Sequence, residues 1–241
     1  MDSSSTSRLS SRYSRSHPIA RRPSPDAGPS PGGSRERRLR HRRPSPQLEQ
    51  VEPPAIRCLV VDDHPAIRIG LRDLLAMEPG FAVVNAVESA EAAVEFAQRT
   101  DFDVAIVDYQ LGGHSGLWLS RRLKRLDDPP AVLIYSAFSD YLLAAACVVA
   151  EADGLLGKAA LGSDLYQRIR DVAAGERRLP MVPPALAESL RHRFDAGEQA
   201  IFGLLLAGIS PAEICRTLGL AGHELETRQW GMLRKLERLD R

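Results

Sequence analysis

Cysteine, long apolar runs and net charge are all scarce in this sequence of 241 residues, and each scarcity excludes something. The three cysteines, Cys58, Cys147 and Cys215, stand far apart with no C-x-x-C spacing. That pattern excludes a disulfide framework and reads as buried free thiols in a reducing compartment. No apolar run approaches the roughly 20 residues of a membrane-spanning helix. The longest, at 141–150, stops at Glu151. The N-terminus has no apolar h-region, so no secretory signal is expected.

The net charge of +1 hides an asymmetry. Residues 1–46 hold eleven arginines against three acids, so the remainder carries an excess of seven acids. Residues 1–54 are rich in Ser, Arg, Pro and Gly and almost devoid of apolar side chains. They bury too little to offset chain entropy and read as a disordered tail. Such a tail acts as a basic arm on DNA or an acidic partner, or is simply solvated, or lies upstream of a misassigned start codon. Its many prolines argue against an amphipathic transit peptide. The mildly acidic remainder argues against non-specific nucleic-acid binding by the folded part alone.

From Ile56 onward short apolar runs alternate with helical patterns. Strands are predicted at 56–61, 81–86, 104–107, 132–135 and 154–156, and helices at 66–77, 90–99, 116–125, 139–150 and 163–173. Five strands alternating with five helices imply a doubly wound α/β fold with a five-stranded parallel sheet. CLVV and VAIV are continuous apolar runs, as strands covered on both faces should be. The helix at 139–150 (SDYLLAAACVVA) is apolar nearly all round, where a surface helix should keep a polar face. It reads as a protein-facing surface, for a homodimer or for docking of another part of the chain, or as an Ala-rich helix exposing little area. Gly, Arg and Pro in GERRLPMVPP mark a linker, taken as 175–193. Three helices follow in a small all-α domain at 194–241. Asp195 with Glu198 and Ser210-Pro211-Ala212-Glu213 are helix starts. Gly219 ends the short second helix, a helix-turn-helix pattern.

Four of the five strands deliver a functional side chain at or just past the carboxyl end, where sites lie in such folds. The first gives the adjacent acids Asp62 and Asp63, the third Asp108, the fourth Ser136, and just past the fifth comes Lys158. Adjacent buried acids need a positive partner. Clustered carboxylates with few other ligands suit Mg²⁺. A carboxylate beside such an ion can attack a phosphoryl group and form an aspartyl phosphate, with Lys158 neutralising transferred charge and Ser136 donating to the installed group. GLLGKAA lacks the first glycine and the hydroxyl after Lys of a phosphate loop.

On VVDDHPAIRIGLRDLL, DYQLGGHSG, the SAF triplet and ADGLLGK, residues 55–174 resemble the receiver domain of bacterial two-component response regulators. VAAGERRLP resembles the linker of the NarL/LuxR-type subfamily. The resemblance implies a flavodoxin-like receiver in the cytoplasm, phosphorylated on Asp108 by a sensor histidine kinase and not itself an enzyme. It implies Mg²⁺ held by Asp62, Asp63, Asp108 and the backbone carbonyl of Gln110, with Lys158 on the phosphoryl group and Ser136 as switch hydroxyl. Two positions depart from the family. Gly112 replaces the usual proline, and Leu155 stands where an aromatic normally swings inward on activation, so the usual Ser–aromatic coupling is lost. A haloacid-dehalogenase-like phosphatase would need an acid where Gln110 stands.

FDAGEQAIFGLLLAGISPAEICRTLGL resembles the LuxR-type helix-turn-helix, whose last motif helix enters the DNA major groove. Here that helix is divergent, GHELETRQWGMLRKL, with Ala221 at the cap and Glu224 and Glu226 where glutamate would repel phosphate. Thr227, Arg228, Arg234 and Lys235 remain as candidate DNA contacts, and Trp230 packs on the groove backbone or in the core. The family's fourth output helix is expected to be missing, which leaves dimerisation to the receiver. The sequence therefore reads as a response regulator that binds DNA and regulates transcription. The alternative is a receiver with a degenerate output, acting by protein–protein interaction or as a phosphate sink.

Overall fold

A computed structural model describes residues 54–239. The basic tail expected at 1–54 falls outside them except for its last residue. The alternation read from the sequence appears as β1 (Ile56–Val61), α1 (Pro65–Ala76), β2 (Phe81–Val87), α2 (Ala90–Ala97), β3 (Val104–Val107), α3 (Gly116–Leu123), β4 (Ala131–Ser136), α4 (Tyr141–Val149), β5 (Gly154–Gly157) and α5 (Gly162–Ala173). The strands form one parallel sheet in the order β2-β1-β3-β4-β5. The strand order reverses beside β1, which opens a crevice over the carboxyl ends of β1 and β3.

Alternate residues of each strand feed different layers, as the two-residue period of a strand requires. Cys58, Val60, Val104, Ile106 and Leu133 face α1 and α5, with Leu71, Leu75, Leu165 and Ile169. Leu59, Val61, Ala105, Val107, Val132 and Ile134 face α2, α3 and α4. Local chemistry fixes the helix starts. Ser89, Ser115 and Asp140 cap α2, α3 and α4 through side-chain oxygens that accept N–H groups of the first turn.

Four more helices follow: α6 (Pro184–Arg191), α7 (Ala196–Leu206), α8 (Pro211–Leu218) and α9 (Gly222–Glu237). Both capping boxes read from the sequence form, Asp195 with Glu198 and Ser210 with Glu213. Gly219 ends α8 in the left-handed conformation, at φ 65°. Helix α6 lies inside the stretch expected to be linker. Its short apolar set, Leu186, Ala187 and Leu190, is too sparse to announce a helix, yet all three pack on the core.

The α4-side layer of residues 55–174 continues into the four last helices as one buried cluster, while the α1 and α5 side remains separate. Val148, Val149 and Ala150 belong to the same buried cluster as Phe194, Ile201, Phe202, Leu225 and Met232. The apolar helix at 139–150 therefore has an occupant: α4 is buried from Leu143 to Ala150 against α6, α7 and α9. Of the roles the sequence left open for it, the structure shows docking, and in this arrangement α4 is not free to dimerise.

Candidate functional site

Register alone brings the first acids together. Val61 pairs with Val107, and the Asp108 N–H donates to the Val61 carbonyl at 2.8 Å, so Asp62 and Asp108 leave neighbouring strands abreast. Ser136 pairs with Gly157, and the Lys158 N–H donates to the Ser136 carbonyl at 2.7 Å. That places Lys158 to reach back across the edge. Its Nζ lies 2.6 Å from Asp62 Oδ2 and 2.8 Å from Asp108 Oδ2. Both carboxylates are buried, Asp62 at 1% and Asp108 at 5% exposure.

Burial is the largest influence on Asp108 and pushes its carboxyl above the usual range, against the opposing pull of Lys158. Burial pushes Lys158 down, but its hydrogen bonds to Asp108 and Asp62 reverse this and hold the ammonium above its ordinary value. The Gln110 backbone N–H also hydrogen-bonds the Asp108 carboxylate. Gly116 permits this packing: a Cβ there would sit 2.2 Å from the Asp108 carbonyl oxygen. Asp63 lies beside Asp62, and its Oδ1 is buried without a hydrogen-bond partner. Three carboxylates against one ammonium leave two negative charges unbalanced, and donor atoms of Asp62, Asp63, His64 and Asp108 lie within 4.8 Å of one another. The site fits a divalent cation. Arg68 holds the backbone of this loop, its guanidinium donating to the Asp62 carbonyl at 2.6 Å.

Ser136 is buried at the end of β4, and its Oγ accepts the Phe138 N–H at 3.2 Å. Leu155 is fully packed in the α4-side core, an aliphatic plug where the family resemblance implies a mobile aromatic.

The candidate DNA residues divide into two kinds. Thr227 and Arg234 are exposed. Arg228 instead lies 3.6 Å from Asp195, and Lys235 pairs with the buried Glu198. Those two cations are held by the start of α7. The opposite flank of α9 is docked on the receiver. Gln229 Nε2 donates to the Val149 carbonyl at 3.3 Å and to Glu151 at 2.8 Å. Glu226 lies 3.5 Å from Arg125, and Ser115 Oγ donates to Glu237 at 2.8 Å. Trp230 lies over Arg121, which is wholly buried and paired with Glu151. Glu151 itself adopts φ 60°, a left-handed backbone unusual for a residue other than glycine.

Sequence reasoning missed this joint. Arg121 sits in SRRL, where arginines read as a solvated face. Gln229 carries no charge and shares its helix face with Leu225, Met232 and Leu233, the one local signal of a buried contact. A cleft remains between the β3–α3 loop and α9, lined by Gln110, His114, Trp118, Trp230, Arg234 and Glu237. Cys58 and Cys147 are buried free thiols as expected, while Cys215 is only half-buried. No helix among the described residues is long and apolar enough to cross a membrane.

Residues 58–170 match the response regulator receiver domain family. The chain is 31% identical over 191 residues to the nitrate/nitrite response regulator protein NarP of Escherichia coli (strain K12), covering 74% of this chain and 87% of that one. It is 27% identical over 201 residues to the nitrate/nitrite response regulator protein NarL of the same strain, covering 79% and 92%. A solved two-component response regulator of the LuxR family, from Aurantimonas sp. SI85-9A1, is similar at TM-score 0.50 and 30% identity, over 58% of this chain and 98% of that one.

Proposed function

The chain belongs to the two-component response regulators of the NarL/LuxR type, and on that footing we propose that Asp108 accepts a phosphoryl group from a sensor histidine kinase and that the output helices bind DNA to regulate transcription. In this reading 55–174 is the receiver, 175–193 the connection and 194–241 the output, and the protein works in the cytoplasm. The observation that carries it is Lys158 shared between Asp62 and Asp108 at strand ends set abreast.

A carboxylate oxygen of Asp108 attacks phosphorus. The bond from phosphorus to the donor breaks, and its electron pair leaves on the kinase imidazole. Lys158 then exchanges its contact with the carboxylate for one with the phosphoryl oxygens, and Ser136 Oγ donates to another. Asp62, Asp63 and Asp108, with the Gln110 carbonyl, would hold Mg²⁺, which when bound neutralises charge on the transferring group. One loop, closed by the Gly116 N–H donating to the Tyr109 carbonyl at 2.9 Å, links Asp108 to Ser115, and Ser115 donates to Glu237 of α9, so in this reading a change at Asp108 would reach the docked helix through that loop.

The test is uptake from acetyl phosphate in Mg²⁺, read by intact-protein mass spectrometry. Asp108→Asn should abolish it, and equal labelling of the variant would overturn the assignment. A second reading, an output that acts on proteins or as a phosphate sink, draws support from Arg228 and Lys235 being held by α7 and Glu226 by Arg125. Salt-steep binding of promoter DNA, strengthened by a phosphoryl mimic, would favour the first reading. No binding above random DNA would favour the second.

A further inference from the structure

We infer that His64 is a metal ligand, so that the acidic pocket takes first-row divalent transition ions such as Mn²⁺ through three carboxylates and an imidazole, and not Mg²⁺ alone. This rests on the proposal that the pocket holds a divalent cation.

The geometry comes from the first loop after β1. His64 follows Asp63 directly and stands at the start of α1, where its backbone N–H donates to Asp62 Oδ1 at 2.8 Å. That bond turns the residue toward the acids. Its Nδ1 then lies 2.7 Å from Asp63 Oδ1 and 3.4 Å from Asp62 Oδ1. Asp63 Oδ1 is nonetheless a buried oxygen with no hydrogen bond. The imidazole nitrogen and the carboxylate oxygen thus stand side by side in a contact whose geometry is not that of a hydrogen bond, which is how neighbouring ligands of one cation are set.

The span is close as well. The donors of Asp62, Asp63, His64 and Asp108 all lie within 4.8 Å of one another, and a cation about 2.0–2.3 Å from each donor holds its ligands at most about 4–4.6 Å apart, so a small rotation of the exposed His64 ring completes the set. Lys158 takes Oδ2 of Asp62 and of Asp108 and so leaves Asp62 Oδ1 to the His64 side. The donor set decides the ion. Carboxylates and water suit Mg²⁺ and Mn²⁺ alike, and an imidazole adds affinity that is least for Mg²⁺ and rises along the first-row transition ions from Mn²⁺. The side chain of His64 is two-thirds exposed, so the ring is free to complete the site and its replacement should not disturb the fold.

The experiment is Mn²⁺ binding to the full chain, followed by electron paramagnetic resonance with Mg²⁺ as competitor. Nitrogen modulation of the bound Mn²⁺ is read in protein carrying ordinary or ¹⁵N-labelled histidine. We expect ¹⁴N modulation that changes to ¹⁵N on labelling and vanishes in His64→Ala. That variant should lose about tenfold or more in Mn²⁺ affinity while Mg²⁺ affinity stays within about threefold. His64→Asn should behave like His64→Ala and retain the wild-type melting temperature. Mn²⁺ bound with no histidine modulation, or an equal change for both ions in His64→Ala, overturns the ligation and leaves the metal reading standing. No bound Mn²⁺ and no Mg²⁺ effect in the wild type overturns both.

Discussion

The receiver and the output helices present charge in opposite ways. At the strand ends of the receiver, Asp62, Asp63 and Asp108 are crowded around one lysine and left with negative charge to spare. On α9 the cations that a DNA reader would use are largely spoken for: Arg228 by Asp195, Lys235 by Glu198. Under-compensated charge stores binding capacity for an ion or a phosphoryl group. Compensated charge stores structure. Removing Lys235 would strand the buried Glu198, whereas the exposed contact of Arg228 with Asp195 contributes little. The same residue types therefore do site work in one region and holding work in the other.

The largest way to break that contrast is at the joint. Glu151→Ala strands the fully buried Arg121 and should cost about 3–5 kcal/mol in equilibrium denaturation. The double variant Arg121→Met, Glu151→Leu should recover most of it. Gly116→Ala drives a methyl into the Asp108 carbonyl and should cost about 1–3 kcal/mol while sharply slowing uptake from acetyl phosphate. Within α9 the two kinds of cation should separate. Lys235→Ala leaves Glu198 buried and should lower stability by about 1–3 kcal/mol. Arg234→Ala should leave stability within about 0.5 kcal/mol but weaken DNA binding and flatten its salt slope by about one. The smallest effect is a gain. Ala221 offers no side-chain cap to α9, and Ala221→Ser should add about 0.5–1 kcal/mol, seen as a higher melting temperature.

The legible half of the molecule is the half whose residues are placed by backbone topology. Parallel strands with in-register ends put Asp62, Asp108, Ser136 and Lys158 on one edge however the side chains pack, so strand boundaries sufficed. The capping boxes at Asp195 and Ser210 and the glycine at 219 were legible for the same reason, since their partners lie within three or four residues. What escaped depends on distant partners. Whether Lys235 faces solvent or Glu198 is decided by how α9 meets α7, and no local pattern encodes it. Helix α6 escaped because its stability comes from the core it touches rather than from its own periodicity. Leu155 stands where the resemblance implies an aromatic, but its packing against the α4 side needed the fold. His64 escaped because a histidine beside two acids has no direction until the loop fixes its backbone N–H on Asp62.

The chain contains two tryptophans, Trp118 on α3 and Trp230 on α9, and both border the cleft between the β3–α3 loop and the last helix. Trp118 is stacked on His114 within the receiver, and Trp230 lies over Arg121 across the joint, so the second contact is lost when the two surfaces separate. The protein thus carries an unlabelled optical gauge of its own joint. Indole emission of the native chain will shift with solvent access whenever α9 leaves the receiver, and nothing else in the sequence will contribute to that signal.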